Sequence, residues 1–489
     1  PELGARLGLG VHAVLVLLAL VVPGRPRAVL QAQVRAAGPA EELGAGEQRP
    51  LPGEEHGALA VANAAFGLVV SAHHAPRGPV VDLGDAAVLP GLVNVHTHLE
   101  LTAMRHALEG LDFFHWIRTL TRLRKDVLGS PGDLKASARL GIAEGLTRGI
   151  TTYADTAAIG APVLEAMRDM QVRGIVYQES FGPDSDVSVV EPAIRRLRQQ
   201  VAELRGRATD MVRVGVSPHA PYSVSVPLYK TIAVWAAQQN LPVAVHLAES
   251  EDEDRLVKAG EGAFADFWRS RGLDPAESRA RSPVALLDAV HILRLKPLVI
   301  HAVRIDAEDA FVLARHGCAI AHCPASNARF GHGIAPWRLM QDHGLTVGLG
   351  TDSVASNNRM DLMDEARLAQ LMAGVREKTP FALTPLMALR LATSGGAHAI
   401  GIGQSTGALL PGYQADLSVW GLDALAARPI RDIGDSLING IAGSAARMTM
   451  VAGQVLWLDG RHLAAPRLAE DLQRIERLGA RCVQARAAA

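Results

Sequence analysis

The sequence predicts an α/β protein built on a (β/α)8 TIM-like barrel, and three observations carry that prediction. From Leu92 onward, short β-branched apolar runs alternate with longer segments of helical spacing. Eight such runs can be counted: "LVNVHTH", "ITTYADT", "GIVYQES", "VRVGVSPH", "PVAVHLAE", "LVIHAV", "CAIAHCP" and "TVGLGTD". Most of them close on a polar residue or a Gly/Pro-marked turn. Strands alternating with helices imply a parallel sheet, and eight units over roughly 300 residues match a closed barrel. An open doubly wound sheet would want a Gly-rich phosphate loop after its first strand, and none follows "LVNVHTH".

Taken in order, the chain divides into four parts. Residues 1–56 form an N-terminal segment without a clear assignment. Its apolar stretch Leu7–Val22 is shorter than the ~20 residues of a spanning helix and is preceded by one positive charge, Arg6. That stretch reads as a signal-peptide core, as a strand of a small β domain, or as sequence upstream of the true start, since the chain opens at Pro1 and not at a methionine. Gln31–Gly57, rich in Ala, Gly, Pro and Glu without period, reads as loop. Residues 57–90 and 404–464 carry short strands separated by turns, and segments from both ends can pair into one small β-sandwich. Residues 91–403 hold the barrel; "SARLGIAEGLTRG" and "PLYKTIAVWAAQQN" are examples of its helices. Residues 465–489 close the chain as a helix packed outside.

Composition narrows the class. Hydrophobic residues at 48% and charged residues at 20% of the 489 describe an ordinary globular protein. A net charge of -1 with no basic run gives no footprint for nucleic acid and favours a small neutral ligand. Three cysteines, Cys318, Cys323 and Cys482, are too few for a disulfide framework, which points to a reducing compartment and a cytoplasmic location. No membrane partner is expected, and homo-oligomerisation stays open.

Chemistry in such barrels sits at the C-terminal strand ends, where the loops converge. His96, His98, His219, His246, His301 and Asp352 all fall there. His73 and His74 lie in turn-like sequence, and His332 and His343 in loop or helix sequence, outside this rule. Two residues apart on a strand, His96 and His98 share a face and can grip one metal. His246 and Asp352 complete a ligand set suited to zinc or ferrous iron with a position left for water. Bound water then ionises near pH 7 rather than 15.7. Asp352 can hold that water, His301 can orient it, and Glu249, three residues after His246, can carry its proton to a ring nitrogen. A carboxylate at the start of a helix is also what the dipole favours, so Glu249 admits a structural reading.

"PGLVNVHTHLE", "SPHAPYSVS", "HLAES", "HCPASNARFGHGIAPW", "GLGTDSVASNN" and "TSGGAHAIGIGQSTGALLPGYQADLSVW" together resemble the amidohydrolase superfamily, in its branch of aminohydrolases and chlorohydrolases. The resemblance runs in order from about Gly57 to Leu463. It implies a distorted barrel with a composite β-sandwich and one divalent metal, usually zinc and sometimes iron. It also implies that His96, His98, His246 and Asp352 are the ligands, with Glu249 and His301 in the acid–base and water-orienting roles and His219 at the substrate. "HTHLELTAM" followed by "FFHWIRTL" is similar to purine-nucleoside deaminases, such as those acting on aminodeoxyfutalosine or S-adenosylhomocysteine.

Phe113, Phe114 and Trp116 can wall a pocket for a flat base, although aromatics on a helix are more often core. The acidic residue that many such deaminases place on the ribose has no match in "RLRKDV", and the usual Asp-Gly-Arg-Ile turn near "VANAAFGLVV" is missing. Three rivals stand beside hydrolytic deamination. A binuclear cyclic amidase needs a bridging group at strand four, where His219 stands instead. A triazine chlorohydrolase could use the same site, but a retained Glu249 favours a nitrogen leaving group that must be protonated. A dead relative would have lost ligands.

Overall fold

The computed structural model describes residues 13–20, 29–36, 60–63, 68–71, 83, 85–465 and 467–487. Strands Ala13–Leu20 (β1), Val29–Ala36 (β2), Ala60–Asn63 (β3) and Leu68–Ser71 (β4) form an antiparallel sheet in the order β2-β1-β3-β4. The expected loop from Gln31 therefore begins inside a strand, because Val29–Ala36 pairs along its whole length with β1. The rest of that loop, together with His73 and His74, lies outside the described residues. Of the apolar stretch Leu7–Val22, the described portion is β1.

The second antiparallel sheet joins the two ends of the chain. Ala86–Pro90 (β5) pairs with a strand more than three hundred residues later, Leu417–Gly421. The order is completed by Met448–Val451, Gln454–Leu458 and Arg461–His462, each pairing with its predecessor. Among the described residues of the 57–90 segment, β5 alone makes this connection; β3 pairs instead with β1 and β4. Trp420 is fully buried in this sheet, its indole N–H donating to Ser418 Oγ at 2.9 Å. Arg173, at the base of the barrel, clasps Asp416 at 2.8 Å and fastens sheet to barrel.

Eight parallel strands make the barrel in two runs of four. Leu92–Thr97 (β6), Ile150–Ala157 (β7), Arg173–Ser180 (β8) and Val212–Pro218 (β9) form one. Ala244–Leu247 (β10), Leu298–His301 (β11), Ala319–His322 (β12) and Thr346–Leu349 (β13) form the other. Parallel bridges Thr97↔Asp352 and Val216↔Val243 close the ring. Helices cover the outside, as parallel strands buried on both faces require. Val93, Val95, Ile175, Tyr177 and Ile300 fill the interior, while Leu92, Val176, Val216 and Val299 face the helices. The final helix, Leu468–Ala487, docks Leu478 and Cys482 against Trp116, Leu123 and Val127. No helix among the described residues is long and apolar enough to cross a membrane.

Candidate active site

Strict alternation would turn His96 away from the interior that Val93 and Val95 occupy. The ladder between β6 and β7 shifts register between Asn94 and Thr97, and this irregularity delivers His96 to the mouth. Irregular strand ends of this kind re-aim side chains at functional sites. Gly350 leaves the room: a Cβ there would stand 2.8 Å from His96 Cβ. His301 and Asp352 are aimed by backbone as well, with φ of 75° and 58°, left-handed values uncommon for such residues outside tightly determined sites.

The rings converge. His96 lies 4.8 Å from His98 and 5.0 Å from His246 between centroids, and 5.8 Å from His301. Asp352 Oδ1 stands 3.2 Å from His96 Nε2 and 3.6 Å from His98 Nε2. Its other oxygen accepts from Ser326 Oγ at 2.5 Å and Ser356 Oγ at 3.0 Å. Three overlapping groups bring one donor atom per residue to within 4.8 Å of one another: His96, His98 and Asp352; His96, His246 and His301; His98, Glu179 and His246. Among the described residues, neither ring nitrogen of the fully buried His96 finds a hydrogen-bond partner. Buried polar atoms without partners are costly, and imidazoles and a carboxylate in one small volume are the donors a divalent cation satisfies. The residues therefore fit a metal.

Electrostatics agree with that fit. Burial, reinforced by the neighbouring His96, pushes His98 down to about 3, and burial likewise lowers His219 to about 3. Neutral rings are the form that ligates. Burial opposes the ionisation of Asp352, yet its contact with His96 and the surrounding rings hold it well below the usual carboxylate range.

Glu249 sits just beyond β10, buried, with Oε1 at 3.4 Å from His301 Nε2. The Tyr222 hydroxyl donates to its other oxygen at 3.4 Å. Glu253 explains its placement: that side chain accepts from the N–H groups of Ala248 and Glu249 at 3.0 and 2.8 Å, pinning the turn. Asn327 Oδ1 meets His301 Nδ1 at 3.0 Å, and Ser223 Oγ meets His219 Nδ1 at 2.7 Å.

Two site residues escaped the sequence reading. His332, assigned there to loop or helix, is buried with Nε2 3.5 Å from Glu249 Oε1, between Phe113 and Phe330. Gly331 and Gly333, at φ of 68° and 113°, turn the chain around it, so its Gly-His-Gly setting was the available signal. Glu179, at the end of β8, is buried, and its Oε1 has no hydrogen-bond partner. Burial, then the charge of Glu100, pushes its carboxyl up to about 8. Its signal was position alone, since it ends a barrel strand.

Above these groups opens a cavity of about 940 Å³, lined by Phe113, Trp116, Tyr222 and Phe330 with His219 and Glu249 among its polar walls. Phe113 and Trp116 are buried, so they are core and wall at once. The Trp116 indole N–H has no partner.

The family profile described as Amidohydrolase family matches residues 87–456. The chain belongs to the amidohydrolase family. Similar curated relatives include a 5-methylthioadenosine/S-adenosylhomocysteine deaminase of Nitratidesulfovibrio vulgaris strain Miyazaki F, 32% identical over 83% of this chain and 89% of its own length. The enzyme of the same name from Thermococcus kodakarensis is 30% identical over 77% of this chain and 84% of its own. Among solved structures, atrazine chlorohydrolase from Arthrobacter aurescens complexed with zinc superposes with a TM-score of 0.73 at 27% identity, covering 86% of this chain and 95% of that one. An adenosine deaminase from Xanthomonas campestris with bound zinc, at TM-score 0.72 and 24% identity over 86% of this chain and 93% of that one, shares the fold.

Proposed function

We propose that this amidohydrolase is a metal-dependent hydrolytic deaminase of an amino-substituted nitrogen heterocycle of the purine-nucleoside type. The observation that carries the reading is Glu249, a buried carboxyl beside His301 and the histidine–aspartate cluster, under an aromatic-walled cavity with room for a whole nucleoside. Relatives named as deaminases, at about 30% identity over most of both chains, support it.

His96, His98, His246 and Asp352 would hold one divalent ion, zinc by this reading. Bound there, the ion supplies Lewis acidity and makes hydroxide available at neutral pH. The chain's own groups handle the rest. His301, fixed by Asn327, orients the attacking water. Glu249 accepts a proton from that water and passes it to the ring nitrogen next to the reacting carbon. As the carbon–nitrogen bond breaks, the second proton of the added water passes to the amino group, which leaves as ammonia, and the ring carbon keeps the oxygen as a carbonyl. Such proton transfer typically contributes 10²–10⁴-fold. His219 and Trp116 contact the heterocycle, and Glu179 faces it from β8. Three free, buried cysteines suit the cytoplasm.

A screen for ammonia release over adenosine derivatives, aminodeoxyfutalosine, guanine, cytosine and triazines tests the reading. Ammonia from a purine nucleoside is expected, with about one metal per chain. Chloride release from chlorotriazines without ammonia from any compound would transfer the site to dechlorination. Two metals per chain would return the binuclear amidase reading, with Glu179 the carboxylate to examine.

A further inference from the structure

One wall of the cavity mouth carries cations that nothing in the proposed chemistry uses. Arg118, Arg122 and Lys125 project from the helix Phe113–Val127, and Arg271 follows the helix Ala263–Arg269; all four line the cavity and are exposed. Arg118 stands 5.6 Å and Arg271 5.4 Å from the centroid of the same ring, Phe267, so the two guanidiniums are gathered at one aromatic. Arg118 also lies 5.7 Å from Phe114. Among the described residues none of the four has a carboxylate within ion-pair distance. Arginines nearby are paired: Arg124 with Glu100, Arg269 with Asp266, Arg329 with Glu109. Among the described residues Asp126 is the one acid of this rim that lines the cavity; Glu179, Glu249 and Asp352 lie deeper, at the site.

Like charges held together without counterions repel, and an anion placed among them relieves that repulsion. Guanidiniums stacked on a ring are pre-organised and present their donors in a fork that matches carboxylate or phosphate. We infer that this rim is a subsite for an anionic arm, and that the enzyme's substrate is a purine-type heterocycle bearing a carboxylate or phosphate away from the reacting carbon. The arm is purely anionic: a zwitterionic amino-acid arm brings an ammonium for which the rim has only Asp126. The near-zero charge of the whole chain is no guide here, because the cations are segregated to one wall.

The inference rests on the deaminase reading, and four substrates sharing one adenine separate the two. These are adenosine, adenosine 5′-carboxylate, adenosine 5′-monophosphate and S-adenosylhomocysteine. Steady-state ammonia release by the metal-loaded enzyme should give kcat/KM at least ten-fold higher for an anionic member than for adenosine. Which of the two anions leads decides between carboxylate and phosphate. The advantage should fall toward unity at 0.5 M NaCl, because exposed charges are screened. It should vanish in the double variant Arg118→Glu/Arg271→Glu and persist in Arg118→Lys/Arg271→Lys. Equal kcat/KM across the series overturns the inference while leaving the deaminase reading intact. So does an advantage insensitive to salt and charge reversal, or one as large for S-adenosylhomocysteine. If no member releases ammonia, the deaminase reading falls, and calorimetric titration of the same enzyme with adenosine 5′-carboxylate and adenosine decides the rim. Tighter binding of the carboxylate upholds it; equal or no binding overturns it.

Discussion

At the scale of one residue, the proposed function rests on Glu249 as the proton carrier. Its neighbours His301 and His332 approach the same oxygen at 3.4 and 3.5 Å, and Glu253 holds its backbone from behind. Glu249→Gln keeps size and burial but removes the proton acceptor. The expected result is a fall in kcat of ~10²–10⁴ with metal content unchanged, read by turnover and metal analysis on the same sample. Unchanged turnover removes Glu249 from the reaction. Asp155 offers a second test, of stability. Its Oδ2 accepts from Thr97 Oγ1 at 2.7 Å and from Leu99 N at 2.6 Å, tying β7 to the turn that carries His98. Burial pushes this carboxyl up to about 7 against those two bonds, while the unfolded chain releases the proton at ~3.9. Between those values the folded state binds the extra proton, so this group's stabilisation is complete below the unfolded value and is lost as pH rises through about 7. Asparagine cannot titrate. Asp155→Asn should therefore lose less thermal stability than the parent between pH 4.5 and 7.5. Parallel melting curves over that range would refute the raised carboxyl.

Elements show what is legible in a linear sequence. The eight barrel strands were readable because each is a β-branched run ending in a turn, and the polar residues at their ends followed from the rule that loops converge there. His332 was not readable, because it reaches Glu249 from a loop whose path depends on two glycines in left-handed conformation. Nor was the partition of the N-terminal strands: β3, β4 and β5 have similar apolar composition, and choice of partner is a long-range matter that alternation does not encode. The shift of register that presents His96 is likewise set by the neighbouring strand. The C-terminal helix spans Leu468–Ala487, and spacing carries no sign of its task. Arg139 grips the buried Asp471 through two bonds, at 2.7 and 2.6 Å, and thereby docks Leu468–Ala487 behind the helix that carries Trp116. Removing one partner of a buried pair costs ~3–5 kcal/mol, because the other charge stays behind unpaired. Arg139→Ala should expose the final helix to limited proteolysis and raise KM more than it lowers kcat. An intact helix with an unaltered KM would show that the cavity wall stands without this support.

At the scale of the whole molecule, the barrel is two half-rings joined at two seams, and residues of the site make both. At one seam Asp352 N donates to His96 O at 2.9 Å; at the other, His246 N donates to His219 O at 2.9 Å. A cation held by His96, His98, His246 and Asp352 would thus span residues on either side of each joint, beyond satisfying one idle ring nitrogen of His96. Binding to the folded state alone stabilises by about 4 kcal/mol when free metal stands a thousand-fold above its dissociation constant. Chelation should therefore lower the melting temperature, and added zinc should restore it. Hydrogen exchange should quicken first at Thr97–Leu99, Val243–Leu247 and Thr351–Ser353, where the seams lie, and least in the helix Ala307–His316 between β11 and β12. His96→Ala should melt at one temperature with or without zinc, since a donor shared by two of the three groups is gone. If chelation instead speeds exchange evenly around the ring, the metal serves chemistry alone and the half-rings are held together by their packing.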